Sequence, residues 1–265
     1  MLSYLHDFHA GGPADVHKHL TLAVVLARLT AKDKPLSYIE SHAGAGLYDL
    51  EAAEARKTGE ALLGVRRLLE RGLLPEGHPY RRVLKLIHER HGPDHYPGSP
   101  RLAQLLLRPT DHLHLMELHP RAQVALRRHL RGANVHIHDR DGYEGVLAIL
   151  PPRPRRCLIL VDPSYEVKTE YAQAGQFVLD IHRKCPHGVV LLWYPLLRDD
   201  LHPPLCRTLE QAALPGFARR EVRVADPESP RNLYGSGFLC VNLPYGVEEA
   251  LVEAEGLVRS MVAGV

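Results

Sequence analysis

Apolar positions recur at helical spacing from Asp15 to about Lys32, where Val16, Leu20, Val24, Leu26 and Leu29 mark a predicted helix that Asp15 is placed to cap. Pro35 then opens a short β-like run, Leu36-Ser37-Tyr38-Ile39-Glu40, which ends in His42-Ala43-Gly44-Ala45-Gly46. From Glu51 to Arg90 the pattern is helical again, with a break near Pro75-Glu76-Gly77. Tyr96-Pro97-Gly98-Ser99-Pro100 reads as a turn into an apolar helix, Leu102 to Leu107. A regular alternation follows: a strand at 112–117, a helix from Pro120 to Arg131, a strand at 133–138, then Asp139, Asp141, Gly142 and a short helix. The run Cys157-Leu158-Ile159-Leu160-Val161 is apolar at every position, the pattern of a strand buried on both faces in a parallel sheet. A helix at about 170–184, a strand at 188–194 and a closing α-β-β-α stretch complete the chain. Strands alternating with helices predict an α/β fold with a mostly parallel sheet.

Such a sheet binds ligands beyond the carboxyl ends of its strands. Four consecutive predicted strand ends carry carboxylates or glycines: Glu40 to Gly46, Glu117, Asp139 to Gly142, and Asp162-Pro163-Ser164-Tyr165. Glycines in the first loop let the backbone approach a ligand, although a tight turn explains them equally well in isolation. The loop is not a full GxGxxG, and no P-loop lysine follows. Glu117 can accept hydrogen bonds from two ribose hydroxyls or stand as a solvated strand end. Asp141-Gly142 can hold an adenine amino group or cap the next helix.

Asp162-Pro163-Ser164-Tyr165 is the sharpest element and matches the [DN]-P-P-[YFW] motif of amino-methyltransferases in three of four places. The exocyclic amine of adenine is a poor nucleophile because its lone pair is delocalised into the ring. A carboxylate and a fixed backbone carbonyl that accept hydrogen bonds from both N–H groups draw the nitrogen towards sp³. Proline sets the carbonyl's direction, and the aromatic offers a face to a base taken out of its helix.

The blocks Met1-Leu2-Ser3-Tyr4, Phe8-His9-Ala10-Gly11 and Ala14-Asp15-Val16-His17-Lys18-His19 are similar to the bacterial large-subunit (23S) ribosomal RNA adenine-N6 methyltransferase family. So are His42 to Gly46, Tyr96 to Pro100, Glu117-Leu118-His119-Pro120 and Leu192-Trp193-Tyr194-Pro195, in family order over nearly the whole chain. The resemblance implies a Rossmann-like S-adenosylmethionine-dependent methyltransferase fold, one domain over 1–265, with a small helical insertion subdomain between the first and second strands. It implies cofactor contacts at Lys18, His19, His42, Gly44, Ser99, Glu117, Asp141, Gly142 and Asp162. Asp162, Pro163 and Tyr165 take the catalytic positions, and Tyr4 and Tyr165 lie by the substrate. The family was earlier linked to use of external DNA. Ser164, where the family usually has proline, is a departure that implies a modest loss of rigidity.

The charge distribution fits the nucleic-acid partner that the resemblance implies. Residues 55–92 hold nine basic and four acidic side chains, a local balance of +5, although the whole chain is only +2. Segment 51–92 is therefore the expected RNA-backbone contact, with Arg66, Arg67, Arg81 and Arg82 as its phosphate ligands; a solvated pair of amphipathic helices is the plainer alternative. Alternate histidines, His112-Leu113-His114 and His136-Ile137-His138-Asp139, share strand faces, but no third ligand has diagnostic spacing and no HExxH occurs, so no metal is expected. Four scattered cysteines without CxxC predict reduced core thiols. No apolar run is long enough for a membrane span, and the N-terminus lacks signal-peptide character. The expectation is a cytoplasmic monomer acting on 23S ribosomal RNA. A DNA adenine methyltransferase is the runner-up, and a non-catalytic nucleic-acid-binding protein linked to DNA uptake is the rival from another class.

Overall fold

The computed structural model describes residues 5–226 and 232–263, so Tyr4 lies outside the described residues. After a 3-10 turn at His6–Phe8 come α1 (Pro13–Thr30) and β1 (Ser37–Glu40). A two-stranded antiparallel ribbon, β2 (Leu47–Asp49) with β3 (His95–Pro97), brackets four helices: α2 (Ala53–Thr58), α3 (Glu60–Leu63), α4 (Val65–Glu70) and α5 (Pro79–His91). Then follow α6 (Ser99–Leu106), β4 (His112–Met116), α7 (Pro120–His129), β5 (Val135–His138), α8 (Gly142–Ile149) and β6 (Cys157–Val161). The chain continues with α9 (Glu170–Lys184), β7 (Val189–Leu197), α10 (Pro203–Gln211), β8 (Ala218–Arg223), β9 (Leu233–Val241) and α11 (Glu248–Val262).

The main sheet has seven strands in the order β5-β4-β1-β6-β7-β9-β8. β5, β4, β1, β6 and β7 pair in parallel, while β9 runs antiparallel to both of its neighbours. From β1 the chain moves outward to β4 and β5, then returns to β6 and moves the other way. The switch point therefore lies between the carboxyl ends of β1 and β6, where open α/β sheets bind ligands.

Each face of the sheet has its own core. In β6, Leu158 and Leu160 join the core that includes α1 and α11, whereas Cys157, Ile159 and Val161 join the core that includes α8, α9 and α10. The apolar run of β6 is thus explained by two-sided burial. All four cysteines are buried free thiols.

Helix α1 forms as expected, but Asp15 does not cap it. Gly12 is the N-cap, and α1 is buried on almost every side. Asp15 sits inside the first turn, where its Oδ2 accepts the Gly11 backbone N–H at 2.9 Å. The inserted helices add no separate core: Val65, Leu68, Tyr80, Val83, Leu84 and Ile87 belong to the same buried cluster as α1 and the sheet. The ribbon of β2 and β3 has no counterpart in the sequence pattern, because three-residue strands are too short to show a period.

Candidate active site

A cleft of about 260 Å³ opens at the switch point. The loop after β1 supplies His42 and Gly44, the end of β4 leads to Glu117, and the end of β6 supplies Asp162, Pro163 and Ser164. Lys18 of α1 and Ser99 at the start of α6 complete the wall.

Gly44 has φ +63°, in the left-handed region, and a Cβ there would lie 2.4 Å from the Tyr48 hydroxyl oxygen. Only glycine lets this loop turn towards Glu117. Its N–H donates to Glu117 Oε2 at 2.7 Å, and the His119 N–H donates to Oε1 at 2.7 Å. Both carboxylate oxygens are fixed, and each retains a lone pair for a further donor in the cleft. Burial pushes the Glu117 carboxyl above its usual range, against the pull of these N–H groups.

Asp162 is fixed by charge. Lys18 Nζ lies 2.6 Å from Asp162 Oδ2 and 3.0 Å from Asp15 Oδ1, and all three side chains are nearly buried. Burial works against the Asp15 carboxylate, but the neighbouring His19, Lys18 and His6 outweigh it and hold the carboxyl well below its ordinary range. Burial keeps His19 neutral down to about 3, so near neutral pH the counter-charge is Lys18. Lys18 Nζ also stands 5.8 Å from the centre of the Trp193 ring.

Beneath the cleft, Glu40 ends β1 fully buried, accepting the Tyr38 hydroxyl at 2.9 Å and the Ser99 hydroxyl. Burial raises its carboxyl to about 8 even though these donors oppose the shift.

A family profile described as ribosomal RNA large subunit methyltransferase D, RlmJ, matches residues 33–264. The chain belongs to this family. Relatives named ribosomal RNA large subunit methyltransferase J are 36% identical in Escherichia coli K12, covering 95% of this chain and 90% of that protein, and 34% identical in Haemophilus influenzae, covering 96% and 91%. A crystal structure of a Legionella pneumophila protein superposes with a TM-score of 0.87 at 34% identity, covering 96% of this chain and 94% of the other. A probable spermidine synthase from Corynebacterium glutamicum, 13% identical with a TM-score of 0.54, covers 96% of this chain and 81% of its own, and shares the fold alone. The protein is accordingly an S-adenosylmethionine-dependent methyltransferase of Rossmann-like fold.

Within this RlmJ-family cleft the expected residues divide. Lys18, His42, Gly44, Ser99, Glu117, Asp162 and Pro163 line it together. His19 does not: it is fully buried, stacked on Tyr96 and hydrogen-bonded through Nδ1 to the Tyr96 hydroxyl at 2.6 Å, which in turn accepts from the Tyr80 hydroxyl at 2.9 Å. Asp141 caps α8, its Oδ1 accepting the N–H groups of Tyr143 and Glu144 at 2.9 and 3.1 Å. Gly142 is a packing glycine, since a Cβ there would lie 2.0 Å from the Ser41 carbonyl oxygen. Tyr165 is 6% exposed; its hydroxyl donates to the Trp193 carbonyl at 2.7 Å and its ring packs on Tyr171. Its face is therefore turned into the core, not into the cleft. Its φ of +55° marks the sharp turn that carries it there.

The basic segment is less free than its charge count suggests. Arg66 is held by Glu51 and, at 3.0 Å, by Asp94, and Arg56 by Glu51. Arg67 is half-buried. Arg81 and Arg82 are exposed beside Lys85, along a second groove between α1 and α5. The segment 51–92 also reaches the cleft itself through Glu54 of α2. The sequence marks Glu40 only as a strand-end carboxylate and Asp15 only as a helix cap. The only local signal of a site role for Asp15 was its spacing, with Lys18 at i+3 and His19 at i+4.

Proposed function

We propose that this protein methylates the exocyclic N6 amine of an adenine in large-subunit ribosomal RNA, with Asp162 and Pro163 receiving the amine. The observation that carries the reading is the meeting of Asp162-Pro163 at the end of β6 with Gly44 and Glu117 in one cleft. The ribosomal substrate rests on the relatives' names, and the amine on the Asp-Pro pair.

The cleft suits the cofactor: a glycine loop with no room for a Cβ stands beside a buried carboxylate whose two oxygens are pre-set by backbone donors. Glu117 would hold the ribose hydroxyls, and Gly44, His42 and Ser99 the remainder of the molecule. When bound, S-adenosylmethionine supplies a methyl group already activated on a sulfonium centre. What is left to this chain is positioning and electrostatics.

Asp162 accepts a hydrogen bond from the amine and the Pro163 carbonyl accepts the second. The nitrogen lone pair is thereby released towards the methyl group. Lys18, 2.6 Å from Oδ2, fixes the direction of the Asp162 carboxylate. The amine's proton leaves after transfer, when the nitrogen has become cationic and acidic, so Asp162 need not be a strong base beforehand. Tyr165 acts from behind, pinning the turn to β7 through the Trp193 carbonyl. Arg81, Arg82 and Lys85 offer phosphate contacts. A ribosomal substrate places the protein in the cytoplasm, and among the described residues no helix is long and apolar enough to cross a membrane.

The test is transfer of labelled methyl to ribosomal RNA, to DNA and to neither, with nucleoside analysis of the product. N6-methyladenosine in large-subunit RNA is expected. Asp162→Ala should abolish turnover while leaving cofactor binding within a few-fold, because its interaction strengthens towards the transition state. Methylation of DNA alone, or wild-type turnover by Asp162→Ala, would overturn the assignment.

A further inference from the structure

Parallel pairing of β4 with β5 places His114 opposite His136. Period-two alternation puts His112 and His114 on one face of β4, and His136 and His138 on the same face of β5. This is the face on which Met116 packs beneath Gly145 of α8. We infer that His112, His114 and His136 form a binding site for a zinc-class transition-metal dication, which ties the edge strand β5 to β4. Neither the family's reaction nor the cofactor cleft uses these residues.

The geometry carries the inference. One ring nitrogen from each of the three histidines lies within 4.8 Å of the other two. His112 Nδ1 and His136 Nε2 are 3.5 Å apart, and His138 Nε2 and His114 Nδ1 are 3.4 Å apart. Zinc–nitrogen bonds of about 2.0–2.1 Å in a tetrahedron require ligand nitrogens about 3.3–3.4 Å apart. The His112–His136 pair is already close to that edge, and a His114 nitrogen lies within 4.8 Å of both. The His112 and His136 rings are almost parallel, at 7°, with nitrogen facing nitrogen, so at least one of the pair presents a lone pair. Among the described residues the four rings hydrogen-bond only to one another, leaving their donor nitrogens uncommitted to carboxylates or backbone.

An all-imidazole set without thiolate or carboxylate suits zinc, copper or nickel rather than magnesium or calcium. Three protein ligands leave the fourth position to water. His138 is left out of the set because only His112, His114 and His136 bring one nitrogen each within 4.8 Å of one another. The ion would act as a staple. β5 is the outermost strand, and the His138 carbonyl accepts the Glu117 backbone N–H at 3.1 Å, so fixing β5 also steadies the segment that presents Glu117.

The experiment uses the full chain stripped with chelator and titrated calorimetrically with zinc chloride, with magnesium chloride as the comparison. One zinc per chain and a raised melting temperature are expected, with no response to magnesium. Cobalt(II) loaded into the wild-type protein should show the intense visible bands of four-coordinate geometry. The triple variant His112→Gln, His114→Gln, His136→Gln should bind zinc about 100-fold more weakly or worse. The variant His91→Gln, His95→Gln, altering another adjacent pair of rings, should bind as the wild type does. A triple variant that folds and keeps wild-type affinity, loss of binding in the His91/His95 variant, or a weak six-coordinate cobalt spectrum in the wild-type protein would each overturn the site. The cobalt spectrum needs no variant, so it decides the question even if the triple variant does not fold.

Discussion

Lys18→Met is the most exacting test of how the cleft holds its charges. The lysine side chain is 5% exposed, and its partners Asp15 and Asp162 are 3% and 12% exposed. At an effective dielectric of about 20, unit charges at these separations attract by about 6 kcal/mol each before desolvation is counted. Desolvation removes most of that gain, so the intact triad adds little net stability. Removing the lysine is different, because Asp162 then loses its cation and Asp15 is left with the His6 and His19 rings. Breaking such a buried arrangement costs about 3–5 kcal/mol. For a chain of this size each kcal/mol moves the melting temperature by about 2–4 °C, so a fall of about 6–20 °C is expected at neutral pH. Methionine keeps the length of the side chain, which separates the charge effect from cavity formation. The sign of the pH dependence is a second check. Lys18 is one of the groups that hold the Asp15 carboxyl down, so without it that carboxyl titrates higher than in the wild type and the variant's deficit should narrow as pH falls through the carboxylate range. Adding Asp15→Asn should restore part of the loss. Chemical unfolding of the wild type, the single and the double variant measures all three effects. A Lys18→Met protein within about 1 kcal/mol of wild type at neutral pH would refute the triad as the organiser of the site.

Glu117→Ala removes a fixed carboxylate acceptor worth about 1.5–3 kcal/mol, so titration calorimetry should show S-adenosylmethionine binding weakened about 10- to 100-fold; unchanged affinity would take Glu117 out of the site. Charge reversal of Arg81 and Arg82 should weaken RNA binding and flatten its salt dependence, because both are exposed, whereas Arg66→Glu should mainly cost stability, by about 1 kcal/mol or less, since Arg66 is already paired with Glu51 and Asp94. Filter binding over a salt series distinguishes the two. Glu40, raised to about 8 by burial, keeps its proton in the folded chain at pH values where the unfolded chain has lost it. Folding stability should therefore fall as pH rises from about 4.5 to 8, by at most about 1.4 kcal/mol per pH unit, and level off above that. Glu40→Gln should flatten this slope in urea unfolding, and equal slopes in the two proteins would exclude Glu40 as its source.

Much of the architecture is written in local sequence. The apolar run 157–161 announces a strand with both faces covered, because two-sided burial demands an apolar residue at every position. Once alternating strands and helices imply a parallel sheet, the residues following each strand are candidate ligands by topology alone. Gly44, Glu117 and Asp162 follow from that reasoning, and the structure gathers them into one cleft. Tertiary structure decided what depends on partners distant in the chain. Lys18 reaches Asp162 across 144 positions, Arg66 is neutralised by Asp94 rather than left for phosphate, and the His19 and Tyr165 side chains turn into the core. That Asp141 caps α8 and that Gly142 packs against Ser41 is visible only with the next helix in place. The third histidine beside His112 and His114 comes from another strand, and only the register of β4 with β5 places it. Periodicity reports which side of an element is buried, since that is a property of neighbours a few residues apart. It carries no information on which distant side chain will meet that face, because sheet pairing and helix docking settle that together when the chain folds.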